Sequence, residues 1–287
     1  MNPQKIAILT DSCADLTPAL IGDAPIYIVP LKIHCPDGEF DDGVTITARD
    51  IYARQAAGQL PKTSLPDGAA MEAVLRQIHA DGYEKVVAIL LSSGLSGTYN
   101  MARVLAGAMD GMEMKVFDSR SGSLGEGAMV LQTALDIEAG MSWEEITQKR
   151  VPYFLENVHA FFSVDTLEYL MKGGRIGKVT ALAGTMLNIK PLITFAEDGQ
   201  LLSVAKVRGR KAVADKLISM VREKIGDHKR YNLAVANGGA PEEMAELRAR
   251  MEKEFPNYEH FWEAEIDATL SVYIGPGPLG AGVMLLD

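Results

Sequence analysis

Three serines and a threonine fall within seven residues at Ser92, Ser93, Ser96 and Thr98. They sit between an apolar run, Val86-Val87-Ala88-Ile89-Leu90, and an apolar pattern at Met101, Val104, Leu105 and Ala108. That arrangement reads as a buried strand turning into a helix. First-turn amides lack intrahelical partners and sit at the positive end of the helix dipole, so the spot suits an anion. Neutral hydroxyls beside such amides can hold an oxyanion without a cation. The same residue types also serve as N-caps, and Ser96 alone suffices for capping. Ser92, Ser93 and Thr98 are then left over for a ligand. A second candidate is Arg175, which follows Lys172-Gly173-Gly174 after a short helical stretch. It reads either as a bidentate anion partner or as a C-terminal cation beside a glycine cap.

Other chemistries fit less well. Gly94-Leu95-Ser96-Gly97-Thr98 departs from the nucleophile elbow G-x-S-x-G at its fifth position. None of the five histidines (His34, His79, His159, His228, His260) stands in a matching context. Gly275-Pro276-Gly277-Pro278-Leu279-Gly280 matches G-x-G-x-x-G by letter, yet it holds two prolines and is followed by only seven residues. A dinucleotide fingerprint must open a helix, so this segment is a tight turn. Cys13 and Cys35 have no zinc-like or C-x-x-C spacing and read as free thiols. The acids from Asp37 to Asp42 lack Ca²⁺-loop spacing and read as a solvated loop. Lys206 to Lys211 is a basic island that suits an anionic partner or simply a solvated strand end.

The elements that must position these groups follow an α/β rhythm. Residues 4–9, 86–90 and 114–117 read as strands ending in hydroxyls or acids, with helices between them. Ligands of such parallel sheets bind at the carboxyl ends of the strands. That rule gathers Asp11, Ser12, Ser92, Ser93, Asp118 and Ser119 at one edge. Thr47 with Asp50, and Ser142 with Glu145, read as capping boxes, and residues 61–66 as a proline loop. Beyond about residue 157 the character changes: residues 191–195 and 201–207 read as a hairpin, and helices near 210–225 and 241–254 flank a strand at 231–236. The expectation is two α/β domains, 1–157 with a mainly parallel sheet and 158–287 with a mixed or antiparallel one, and a ligand between them.

A chain of 287 residues with 47% hydrophobic and 23% charged residues is expected to be a soluble globular protein. A net charge of -10 argues against nucleic acid and against adsorption to an anionic membrane. No apolar run reaches the roughly 18–20 residues of a membrane span. The first residues lack the pattern of a signal peptide, so a cytoplasmic location is expected. Fourteen methionines against two tryptophans hint at irregular apolar space for a flexible ligand.

Thr10 to Leu16, Pro61 to Pro66, Leu91 to Tyr99, Asp118-Ser119, Val164 to Leu170, Lys172 to Ile176, Asn188 to Pro191 and Lys206 to Lys211 follow one another in a specific order and spacing. Taken together, these segments resemble the DegV family of bacterial fatty-acid-binding proteins, the FakB-type subunits of fatty acid kinase. The resemblance implies a single long-chain fatty acid lying between two domains, its carboxylate held by Thr63 with Ser64 and by Ser93 with Ser96. Thr63 and Ser93 are the preferred direct partners, and Arg175 is expected in the polar network. It further implies a carrier without cofactor, metal or catalytic residue, which hands the acid to a kinase catalytic subunit. Three positions depart from the family pattern: Asp67 replaces a serine, and Tyr273 and Asn237 replace histidines. Tyrosine still donates a hydrogen bond but stays neutral at pH 7. The alternative is an acyl- or phosphoryl-transfer enzyme using a serine of the 92–96 turn. A transcriptional regulator is disfavoured, because no helix-turn-helix signal or basic surface is present.

Overall fold

The computed structural model describes residues 1–107, 111–182 and 188–287; Ala108, counted above in a helical pattern, lies outside them. Its first sheet has the order β2-β1-β6-β7, built from β1 (Ile6–Asp11), β2 (Ile26–Val29), β6 (Lys85–Leu90) and β7 (Glu113–Asp118), all parallel. β1 is buried along its whole length and β6 nearly so, as expected for parallel strands covered on both faces. β3 (Lys32–Cys35), β4 (Gly38–Asp41) and β5 (Lys62–Ser64) form a small antiparallel sheet ordered β4-β3-β5. The "solvated loop" at 37–42 is therefore largely a strand. Asp42 at its end is buried, because its carboxylate accepts from Ser12 Oγ and from the backbone N–H groups of Ala268 and Thr269.

The third sheet is mixed and ordered β10-β9-β8-β13-β11-β12. It comprises β8 (Val158–Ser163), β9 (Ile189–Phe195), β10 (Leu201–Arg208), β11 (Tyr231–Asn237), β12 (Phe261–Glu265) and β13 (Leu279–Leu285). Only β11 and β12 run parallel. The expected hairpin is present as β9–β10, and both expected capping boxes form.

One helix joins the two large sheets. Leu124–Glu138 packs against β1 and β6 on one side and against β8, β11, β12 and β13 on the other. Apolar cover on both sides explains why thirteen of its fifteen residues are buried. Side chains alternate across the mixed sheet. Even-numbered residues such as Ala234, Ala236 and Met284 join the core shared with this helix, while Leu233, Val235 and Val283 join the core under the Ala212–Ile225 helix. Among the described residues, no helix is long and apolar enough to cross a membrane.

Candidate functional site

The serine turn leaves β6 at the carboxyl edge of the parallel sheet, as the strand-end rule requires. Asp11, at the end of β1, accepts from Leu91 N at 2.9 Å and Cys13 N at 3.0 Å. Ser92 Oγ donates to the Gly199 carbonyl at 2.7 Å, tying the turn to the β9–β10 hairpin. This contact needs two glycines: a Cβ on Gly94 would meet the Gly199 backbone, and a Cβ on Gly199 would meet Ser92. Ser93 turns away from the interior. Its N–H donates to Asp118 Oδ1 at 3.0 Å and its hydroxyl donates to Asp118 Oδ2. Ser96 has the opposite orientation. Its Oγ lies 2.9 Å from Thr98 Oγ1, accepts weakly from Thr98 N, and borders a cavity together with Gly97. Of the two serines named in this turn, the structure brings Ser96 to the cavity and gives Ser93 to the parallel sheet.

Thr63 lies on β5 opposite Ile33, and its Oγ1 is 2.6 Å from the phenolic oxygen of Tyr273. The neighbouring Ser64 borders the same cavity as Ser96, while its Oγ lies 2.9 Å from His34 Nε2. His34 Nδ1 in turn sits 3.3 Å from Glu39, completing an exposed cross-strand row. Tyr273 belongs to a short buried helix, Ala268–Ile274, which sequence reading missed. Its ring passes so close to Gly173 that a Cβ there would run into it. Arg175 lays its guanidinium over that ring, 4.8 Å from the centroid, and donates to the Gly173 carbonyl at 2.9 Å. Arg175 therefore satisfies a helix-end carbonyl, the second of the two readings of its sequence context, and it also borders the cavity.

Behind Thr63, Ser96 and Tyr273 opens a cavity of about 300 Å³. Leu31, Leu65, Leu91, Leu95, Leu170, Phe195, Leu201, Leu270 and Ile274 contribute to its walls. Its floor is the even-numbered face of the mixed sheet: Phe162, Gly280 and Ala236, then Ala160, Gly282 and Ala234. Leu124 and Gly125 of the central helix form the roof. A Cβ on Gly125 would come within 3.0 Å of Ala160 Cβ, so its absence keeps roof and floor close. No methionine lines the cavity among the described residues; many, such as Met71, Met129 and Met251, fill the cores instead. The hint from methionine content gives way to ordinary packing.

Joined to the cavity wall through Ser123 lies a group of buried acids. Asp15 accepts from Asp267 N at 2.8 Å and from the hydroxyl of Ser123, a cavity residue. Asp267 Oδ1 caps the Ala268–Ile274 helix through Leu270 N at 2.7 Å. Burial pushes the Asp11 carboxyl up to about 6. It also raises Asp15, Glu126 and Asp267, with mutual repulsion adding to the last two. Cys13, Asp42 and Asp267 approach within 4.8 Å of one another. Asp42 and Asp267 already serve the helix N-terminus, and burial drives the Cys13 thiol well above its usual range.

Residues 5–285 match the DegV family, described as uncharacterised. A DegV domain-containing protein of Clostridium acetobutylicum is 36% identical over 277 residues, spanning 96% of this chain and 98% of its own. A solved DegV family protein from Thermus thermophilus, described for its fatty acid binding, superposes with a TM-score of 0.92 at 30% identity over all of both chains. A stearic acid-binding protein from Eubacterium ventriosum superposes with a TM-score of 0.87 at 26% identity, covering 98% of each chain.

Proposed function

The chain belongs to the DegV family, and from that premise and the shape of its cavity we propose that it binds one long-chain fatty acid. The carboxylate sits at Thr63, Ser96 and Tyr273, and the acyl chain lies in the slot behind them. Ser64 and Ser93 support the two turns, and Arg175 offers its charge from the rim. Residues 1–157 and 158–287 act as the two units that enclose the ligand. The observation that carries this reading is an apolar slot whose head is closed by a hydrogen-bonded threonine–tyrosine pair beside a serine.

The energetics agree with that division of labour. Burying about 15 methylenes at ~0.8 kcal/mol each gives a ceiling near 12 kcal/mol. A buried carboxylate without hydrogen bonds costs several kcal/mol. The tail supplies affinity, while the hydroxyls make the buried head tolerable and fix its direction. No histidine borders the slot among the described residues, and the head hydroxyls of Thr63, Tyr273 and Ser96 hydrogen-bond to other hydroxyls rather than to a base that would activate a nucleophile. The protein is thus a carrier that presents its acid to the catalytic subunit of a fatty acid kinase, which supplies the ATP site. Unpaired Cys13 and Cys35 are in keeping with a cytoplasmic setting.

Native mass spectrometry of protein purified from a bacterial host is expected to show a mass increment equal to one fatty acid. Delipidated protein should regain that increment with stearic acid. Protein that carries no acid and takes none up in titration would overturn the proposal.

A further inference from the structure

The floor of the slot carries a gradient of side-chain size. Strand register sets three rows on one face of the mixed sheet. The first is Phe162, Gly280 and Ala236; the second is Ala160, Gly282, Ala234 and Trp262; the third is Val158, Met284 and Asn232. Three rows span about 13 Å along the strands. Gly280 with Ala236, and Ala160 with Gly282 and Ala234, form a smooth trough. The third row fills it: Met284 is 1% exposed and Asn232 is held by Gln132 Oε1 at 2.7 Å. The head-group residues lie at the opposite end, since Arg175 follows β8 and Tyr273 precedes β13.

Beyond the second row is a separate void of about 10 Å³. It shares Leu124, Gly125, Ala234 and Gly282 with the slot, and it adds Ala128, Trp262 and Met284, which the slot does not touch. A void of that size holds one water at most. It is spare room at the blind end, closed by a thioether whose three rotatable bonds let it yield.

Resting on the fatty-acid reading above, we propose that Met284 and Trp262 form the stop against which the methyl end of the acyl chain abuts, and so set the longest chain the protein accepts. Shortening Met284 joins the void to the slot and admits longer acids. Enlarging Ala234 in the second row brings the stop forward. A hydrophobic pocket discriminates about tenfold or more per methylene, which sets the scale of both shifts.

The test loads delipidated protein with an equimolar mixture of myristic, palmitic, stearic, arachidic and behenic acids and reads the bound set by native mass spectrometry. Met284→Ala is expected to raise arachidic over stearic acid by about tenfold, and Ala234→Leu to favour myristic over stearic acid by a similar factor. On the unmodified chain, stearic acid brominated at its methyl end should quench tryptophan emission more than stearic acid brominated beside the carboxyl. Trp262→Phe should abolish that difference. An unchanged length distribution in both variants overturns the stop while leaving acid binding intact. Equal quenching by the two brominated acids also overturns it. Failure of the unmodified chain to load any acid instead overturns the fatty-acid reading. If Met284→Ala does not fold, Ala234→Leu and the quenching on the unmodified chain decide the matter.

Discussion

Replacing Tyr273 by phenylalanine removes one oxygen and nothing else. The ring stays in place against Gly173 and beneath Arg175, and Tyr273 is only 9% exposed, so the packing survives. Two things are lost: the 2.6 Å contact with Thr63 Oγ1 and a neutral donor aimed at the head of the slot. In the free protein the loss is one hydrogen bond between uncharged groups, about 1 kcal/mol, which lowers Tm by a few degrees at this chain length. In the complex the missing donor faces a carboxylate, and hydrogen bonds to charged groups contribute about 1.5–3 kcal/mol. At 1.4 kcal/mol per decade, the Kd for stearate should rise roughly 10–150-fold.

Isothermal titration of delipidated protein separates head from tail when stearate is compared with its methyl ester. The ester buries the same chain but carries no charge, so Tyr273→Phe should weaken stearate far more than the ester. Thr63→Val should weaken stearate as well, and the double variant should lose less than the two single losses combined, because the two hydroxyls act as one pair. Equal losses for acid and ester, or an unchanged stearate Kd, would refute the assignment of the head group to this pair.

Two further outcomes are expected. Ser96→Ala should weaken stearate binding about tenfold with little change in Tm, while Ser93→Ala, which strips Asp118 of a donor, should lower Tm and leave the larger part of the affinity; the reverse pattern would restore Ser93 as the direct partner. The buried acids should also make the fold less stable as pH rises: Asp11 goes from 3.8 unfolded to about 6 folded, and Asp15, Glu126 and Asp267 are raised in the same direction. Their contribution is complete below about pH 4 and is lost as pH climbs through the folded values. Surface carboxylates held down by cations, such as Asp37, Glu84 and Asp198, act in the opposite direction but only below about pH 4. Half-buried His159, held down to about 4 by burial, opposes the buried acids as a single group below about pH 6.5. Urea midpoints should still fall from pH 5 to pH 8, and Asp15→Asn, which keeps an acceptor for Asp267 N, should flatten the slope; a midpoint that rises over this range would contradict the reading.

The α/β frame was legible because its signals are local. Ile6 to Asp11 and Val86 to Leu90 are apolar runs of strand length, and the two capping boxes lie within four residues of sequence. The Gly68–Ala80 helix shows its buried face at Met71, Leu75 and Ile78. What escaped depends on partners far along the chain. Asp42 reads as a solvated acid because the amides that bury it belong to residues 268 and 269. The Ala268–Ile274 helix escaped for a related reason: six of its seven residues are buried, so no polar stripe marks its period. The engagement of Ser93 by Asp118 was equally hidden, since Asp118 lies on a neighbouring strand.

Neutral donors at the head have a consequence for what the protein selects. The acids joined to the slot through Ser123 carry their protons more readily than exposed acids do, since burial and mutual repulsion raise them. The guanidinium of Arg175 is engaged by the Tyr273 ring and by backbone carbonyls, which tempers its pull on the ligand. A head held this way contributes nearly the same free energy to every fatty acid. On the proposed reading, differences between acids then arise along the trough, at ~0.8 kcal/mol per buried methylene until the third row is reached. Selection by length, together with a head free of a tight ion pair, is what a protein needs if it must choose one class of acyl chain and still give up its carboxylate to another active site.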